Sequence, residues 1–247
     1  MNTTAATPVT EPLIDARSLS KQFGGIMAVD KVSLQVHAGE AVGFMGPNGA
    51  GKTTTMRLLA GYLQPDEGMI KIAGIDMTKH PQAAQQHIGY LPEQSAPFGA
   101  LTVREHLHLL ACAYGVADVT KAITTAANLT LCDGYLDRPL EELSKGQRQR
   151  AYFAGALLHN PDVLILDEPT DGLDPNQKHE MRLVLKELAK HKALLISTHI
   201  LEEAEAICSR VVLIAKGRIV TDTTPADLKR TGKGDIQAAF RHLTTAA

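Results

Sequence analysis

The run Gly46-Pro47-Asn48-Gly49-Ala50-Gly51-Lys52-Thr53 has the residue types and spacing to hold a polyphosphate. Its glycines let successive backbone N–H groups turn inward around phosphate oxygens. A helix starting behind it points its positive end at the same anion. Lys52 is expected to reach the β and γ phosphates and the Thr53 hydroxyl to ligate Mg²⁺. Further along, Val163-Leu164-Ile165-Leu166-Asp167-Glu168 reads as a buried strand ending in two acids. Asp167 is placed to hold Mg²⁺ directly or through water. Glu168 is the better candidate to orient and activate an attacking water. Adjacent strand residues point to opposite faces, so the two acids are expected to have different roles.

These residues need a scaffold, and the pattern supplies one. Val42-Gly43-Phe44-Met45 is a short apolar strand running into the glycine loop, and Thr53 to Ala60 reads as the helix behind it. Residues 13–45 alternate apolar and polar around Gly24-Gly25 and Ala38-Gly39, as antiparallel strands with turns do. From His87 to about Asn160 the texture becomes helical. Thr102-Val103-Arg104-Glu105 and Ser144-Lys145-Gly146-Gln147 each have the form of a capping box. Lys178 to Lys190 reads as an amphipathic helix, Ala193 to Ser197 as a buried strand, and residues 211–220 as a hairpin around Lys216-Gly217. Thr224-Pro225 opens a closing helix with proline at its first position. Strands alternating with helices predict a parallel α/β sheet, with the middle helices as a separate lobe.

Composition limits the alternatives. With 247 residues and 44% hydrophobic content the chain suits one large domain or a core with a lobed insert. A formal charge of -2 gives no electrostatic footprint for DNA or RNA, so no nucleic-acid partner is expected. Cys112, Cys132 and Cys208 form no C-x-x-C pair, which argues against a zinc or redox site. No apolar run approaches a membrane span, and the Thr/Ala/Pro-rich start lacks the basic and apolar regions of a signal peptide. A cytoplasmic protein is the expectation.

Taken together, these motifs closely resemble those of the ABC ATPase family. Leu143-Ser144-Lys145-Gly146-Gln147 resembles the family's LSGGQ signature, with Lys in the third place. Gly172-Leu173-Asp174 is similar to its D-loop, His199 to its switch histidine, and Phe23 to the aromatic that stacks on adenine. The motifs occur in the family's order over 23–199. The resemblance implies a P-loop NTPase core with a mixed or parallel central sheet, an N-terminal antiparallel β subdomain, and a helical subdomain carrying the signature. The corresponding divisions are a tail over 1–12, a core over 13–87 and 160–230, a helical subdomain over about 88–159, and a tail over 231–247.

The resemblance further implies ATP and Mg²⁺ as ligands. Phe23, Gly46, Pro47, Asn48, Gly49, Ala50, Gly51, Lys52, Thr53 and Thr54 would bind nucleotide, with Glu168 and His199 catalytic. Ser144, Lys145, Gly146 and Gln147 would complete the site of a second copy in trans, and Asp174 would link the two sites. A glycine just inside a helix costs about 1 kcal/mol against alanine, which favours a need for close backbone approach at Gly146. The family's Q-loop glutamine has no unambiguous match. Gly89-Tyr90-Leu91-Pro92-Glu93-Gln94 offers either Glu93 or Gln94 to Mg²⁺ or the lytic water. The implied function is the ATPase subunit of a transporter, most like separate-chain bacterial exporters, with an importer or a non-transport ATPase as alternatives. Its partners would be a second copy or paralogue and integral membrane permease subunits that hold it at the inner face of the membrane. Ser95 to Tyr114, through Pro97, Phe98, Leu101 and Val103, is the expected dock for a permease helix.

Overall fold

The computed structural model describes residues 11–93 and 99–232, together with Ala238, Arg241 and Leu243. Gln94 to Phe98 and most of both expected tails lie outside the described residues. In chain order the elements are β1 (Ile14–Phe23), β2 (Ile26–Val36), β3 (Ala41–Met45), α1 (Lys52–Leu59), β4 (Glu67–Ile72), β5 (Ile75–Asp76), α2 (Pro81–Gln85) and β6 (Ile88–Leu91). There follow α3 (Val103–Ala113), α4 (Val119–Thr130), α5 (Lys145–Leu157), β7 (Val163–Asp167), α6 (Pro175–Ala189), β8 (Ala193–Ser197), α7 (Leu201–Ile207), β9 (Arg210–Ala215), β10 (Arg218–Thr223) and α8 (Pro225–Thr231).

Two sheets form. One is antiparallel, in the order β2-β1-β4-β5, and the other has six strands in the order β10-β9-β3-β8-β7-β6. In the larger sheet β9, β3, β8, β7 and β6 run parallel, and only β10 is antiparallel, paired to β9 around Lys216-Gly217. The expected α/β core with an antiparallel β subdomain and a helical lobe is therefore the observed one.

The central strands are buried on both faces, and their alternation divides the interior in two. Val42, Phe44, Val163, Ile165, Leu195, Val212 and Ile214 face a core shared with α1 and the antiparallel sheet. Met45, Leu164, Leu166, Leu194, Ile196 and Leu213 face a second core built with the helical lobe, where Phe153 of α5 is fully buried. Burying each such side chain contributes about 1.5–3 kcal/mol. By the same alternation Asp167 and Ser197, the last residues of their strands, share the face that carries α1.

The lobe begins later than the sequence implies. Residues 88–91 are a strand, not the start of the helical subdomain: β6 pairs in parallel with β7, Ile88 opposite Val163 through Leu91 opposite Leu166. Four residues are too few to display a strand period, so neighbouring helical texture obscured them. Gly89 permits the placement. A Cβ there would lie 2.2 Å from the Ala156 carbonyl oxygen at the end of α5 and 2.9 Å from Pro161 Cγ. Among the described residues no helix is long and apolar enough to cross a membrane.

Candidate active site

The strand order determines which chain segments meet. β8 lies between β3 and β7, so the loop after β3, the acids ending β7 and the residues after β8 open at adjacent carboxyl ends. Ligands gather in that part of open α/β sheets. A cleft of about 310 Å³ lies there, lined by Asn48, Gly49, Gly51, Lys52, Thr53 and Thr54 from the loop and α1. Glu93, Asp167 and Glu168 close its acidic side, and Ala28 of β2 its rim.

The loop is held by close approaches that exclude a side chain. A Cβ on Gly46 would fall 2.3 Å from the Ile214 carbonyl oxygen, and one on Gly51 2.4 Å from that of Ala28. Gly51 also has φ of 105°, a left-handed value that favours glycine. It stands at the cap position of α1 with no side-chain hydrogen bond, whereas Thr102, Asp118, Ser144, Asp174 and Thr224 each cap their own helices. The first N–H groups of α1 are thus left for an anion. Lys52 Nζ donates to the loop carbonyls of Gly46 (2.7 Å) and Pro47 (3.2 Å). Burial lowers its pKa, opposed by Glu168, Asp167 and Glu93.

Both acids line this one cleft, although adjacent residues within a strand point to opposite faces. The strand ends at Asp167, and Glu168 leaves it with φ of 51°, turning its side chain back toward the phosphate loop. A left-handed non-glycine residue costs about 1–2 kcal/mol. It is held by its own N–H donating to Ser197 Oγ at 3.0 Å and by its carbonyl accepting from Gln149 Nε2 of α5 at 3.3 Å. Environment, not facing, distinguishes the two acids. Asp167 is buried, accepts a short bond from Ser197 Oγ through Oδ1, and keeps Oδ2 without a hydrogen-bond partner among the described residues. Burial raises the pKa of Glu168, although a 2.9 Å contact with His199 Nδ1 pulls it back.

The bare, buried Asp167 Oδ2 and the nearby Thr53 hydroxyl fit a magnesium ion. Among the described residues no group of three or more His, Cys, Asp or Glu side chains could hold a metal alone. That suits Mg²⁺, which binds through one or two carboxylates and substrate phosphates. Of the two Q-loop candidates, Glu93 lines the cleft and Gln94 lies outside the described residues.

The remaining predicted residues fall partly beside the cleft and partly away from it. Phe23 is 46% exposed at the tip of the β1–β2 hairpin, the same hairpin that brings Ala28 to the cleft. Pro47 is exposed, and Ala50 is buried in the core beneath the loop. Ser144, Lys145, Gly146 and Gln147 are not among the residues that line the cleft. Ser144 Oγ accepts from the Gln147 N–H at 3.2 Å, and Gln147 Oε1 accepts from the Ser144 N–H at 3.1 Å, the predicted capping box. The Ser144 hydroxyl proton is not used by that cap. Lys145 Nζ donates to Asp171 Oδ2 at 2.6 Å. The close approach inferred at Gly146 is made within this chain: a Cβ there would lie 2.7 Å from Gln177 Oε1 and 3.2 Å from the Gly172 carbonyl oxygen. Asp174 caps α6, accepting from the Gln177 N–H at 2.9 Å. Ser197 went unrecognised in the sequence, although a hydroxyl ending an otherwise apolar strand is a legible signal.

A family profile described as "ABC transporter" matches residues 29–171. The chain is 35% identical over 240 residues to the "Probable multidrug ABC transporter ATP-binding protein YbhF" of Escherichia coli (strain K12), covering 96% of this chain. It spans only 41% of that relative's length. It is 39% identical over 218 residues to the "Nod factor export ATP-binding protein I" of Burkholderia lata, covering 86% of this chain and 71% of the relative. Among solved structures, one described as an ATP-binding subunit of an ABC transporter superposes with a TM-score of 0.85 at 30% identity, covering 94% of this chain and 99% of that one. The cassette MJ0796, described as dimeric in a post-hydrolysis state with ADP and Pi, gives a TM-score of 0.79 at 25% identity, covering 86% of this chain and 98% of that one.

Proposed function

The chain belongs to the ABC transporter family, and on that premise we propose that it is the ATP-hydrolysing subunit of an exporter, working as an ATP-bridged pair on separate membrane subunits. The observation that carries this reading is the convergence of Lys52, Asp167 and Glu168 on one cleft behind an uncapped helix end. In the hydrolytic step the loop N–H groups and Lys52 hold the β and γ phosphates, and Phe23 stacks on the adenine. Glu168, its carboxylate oriented by His199 at 2.9 Å, takes a proton from water as it attacks the γ-phosphorus. His199, 62% exposed at its side chain, would face the γ-phosphate as the bond from its phosphorus to the β–γ bridging oxygen breaks and ADP leaves. Mg²⁺, held through Thr53 and Asp167 with Glu93 alongside, would supply charge neutralisation of the phosphates. Multidrug and Nod factor export in the relatives' names supports export over import.

Pairing follows from what the cleft lacks. Its lining includes none of Ser144 to Gln147, while the Ser144 hydroxyl and the first N–H groups of α5 present unused donors elsewhere on the surface. A second copy placed head to tail would bring those donors to the γ-phosphate, and the dimeric cassette among the similar structures supports this arrangement. Ser144→Arg tests it. The variant is expected to bind ATP within about two-fold of wild type and to lose turnover and ATP-dependent pairing, since cap loss costs only about 1 kcal/mol. Normal turnover by Ser144→Arg would exclude the shared site.

For the membrane partner, the expected dock changes. Val103 is fully buried in the helical lobe and unavailable, Leu101 is half-buried, and Pro97 and Phe98 lie outside the described residues. A groove of about 420 Å³ between core and lobe takes their place, with Tyr62, Gln85, Tyr90 and Tyr114 on its walls. Tyr62 is 67% exposed and stands 5.1 Å from the Tyr90 ring. Such an amphipathic aromatic wall suits a short cytoplasmic helix of a permease. Tyr62→Asp should abolish co-purification of membrane protein from detergent extracts and leave isolated ATP hydrolysis unchanged. Retained co-purification would remove this groove as the dock.

A further inference from the structure

Glu203, on α7, is a buried carboxylate outside the cleft, only 2% exposed. Its Oε2 accepts from Thr170 Oγ1 at 2.5 Å and from Thr198 Oγ1 at 3.2 Å. Its Oε1 accepts from Lys178 Nζ at 2.9 Å and lies 3.8 Å from Arg182 Nη2. Thr170 and Thr198 are themselves 2% exposed. One carboxylate therefore gathers four elements: the loop after β7, the loop after β8, the first turns of α6, and α7. Thr170 stands two residues beyond Glu168, and Thr198 immediately precedes His199.

Such a node is not a cheap way to stabilise a fold. Taking a carboxylate out of water costs several kcal/mol before its partners compensate, and apolar side chains of similar volume commonly do as well or better. What the carboxylate adds is geometry. Its two oxygens offer about four acceptor sites, so two hydroxyls and two cations can be fixed against one group. Here the two hydroxyls belong to the two loops whose side chains must meet. The pairing of β7 with β8 ends at Asp167 opposite Ser197, with one further backbone bond from the Glu168 N–H to the Ser197 carbonyl at 3.3 Å, so Thr170 and His199 lie beyond the last paired residues.

We propose that Glu203 is a positioning residue for ATP hydrolysis: by clamping Thr170 and Thr198 to one point, it fixes the 2.9 Å contact between Glu168 and His199. This inference rests on the catalytic reading of Glu168 and His199 given above. Glu203 touches neither substrate nor reacting atoms. It acts through the two threonines, and Lys178 and Arg182 hold its other oxygen from α6. Because Lys178 lies in the first turn of α6, the same point also ties down the segment that begins at Asp174.

The test measures turnover and nucleotide binding together, in the full chain with Mg²⁺-ATP. Glu203→Gln is expected to lower kcat by about 10–100-fold, as misplacement of catalytic groups by an ångström does. KM and the number of nucleotides bound per chain should stay within about two-fold of wild type. Thr198→Val and Thr170→Val, which keep shape and delete the hydroxyl, should each lower kcat in the same way, and Thr198→Ser and Thr170→Ser should restore it. These substitutions keep the test available if Glu203→Gln fails to fold. The deciding arm repeats Glu203→Gln in a His199→Ala background, where positioning has nothing left to position and the further loss should be under about three-fold. An equal loss in both backgrounds, or full kcat in the valine variants, would overturn the proposal. If His199→Ala by itself leaves kcat unchanged, the catalytic reading of the pair fails, a result distinct from failure of the clamp.

Discussion

Glu168→Gln lowers the turnover of ATP by at least about 100-fold while ATP binding is retained, the range expected when a positioned general base is removed. The amide keeps the shape of the side chain and a contact to His199, but it cannot accept the proton of the attacking water. Binding energy then has no outlet in hydrolysis, and the ATP-bound pair accumulates. Light scattering at saturating Mg²⁺-ATP should show the mass of two chains, where wild type returns to one as ATP is consumed. The same variant carries a stability signature. Burial raises the Glu168 pKa above its ordinary value of 4.5 more than His199 and Lys52 lower it. A carboxyl whose folded pKa is raised contributes stability below its unfolded pKa and loses it as pH rises through the folded value. At neutral pH the ionised Glu168 is therefore a net cost to the fold. Gln removes that cost, so the variant melts higher than wild type at neutral pH, and the gap closes on acidification as wild-type Glu168 takes up its proton. Normal hydrolysis by the variant, or a melting temperature below wild type at neutral pH, would contradict this account.

Lys52→Ala weakens ATP binding by at least about 100-fold, near 3 kcal/mol, within the range for truncating one member of a partly buried charge set. The reason lies in what surrounds the ammonium. Glu168, Asp167 and Glu93 all act on Lys52, so the cleft without it is a concentration of negative charge meeting a more negative ligand. The loop also loses the donor that bridges the Gly46 and Pro47 carbonyls, so its shape relaxes. Titration with a fluorescent ATP analogue measures the change. Affinity within ten-fold of wild type would mean that the loop N–H groups alone carry the phosphates, and Lys52 would lose its role.

The phosphate loop and the helix starts at Thr102 and Ser144 were legible because each is settled by a few consecutive residues. A capping box needs only a hydroxyl and an acceptor three positions on, and both boxes form as read. The acids at the end of β7 were legible for the same reason, as the polar end of an apolar run. The turn that brings both to one cleft was not, because strand alternation stops where the strand stops, and the left-handed turn at Glu168 is held from Ser197, 29 residues away. At Gly146 a Cβ would meet Gly172, Leu173 and Gln177 of the same chain, neighbours 26 to 31 positions away that no local pattern shows.

By itself the sequence determined which residue types stand at the ends of strands and the starts of helices, because those signals are hydrogen bonds and periods spanning three to eight neighbours. Tertiary structure alone decided that β8 lies between β3 and β7, that β6 joins the sheet, that Ser197 bonds Asp167, and that Glu203 meets Thr170. The bonds from Ser197 to Asp167 and from Thr170 to Glu203 join residues thirty or more positions apart, and the strand pairs are far separated in the chain. They depend on how two apolar faces of one sheet are covered at once, a condition no local stretch of residues carries.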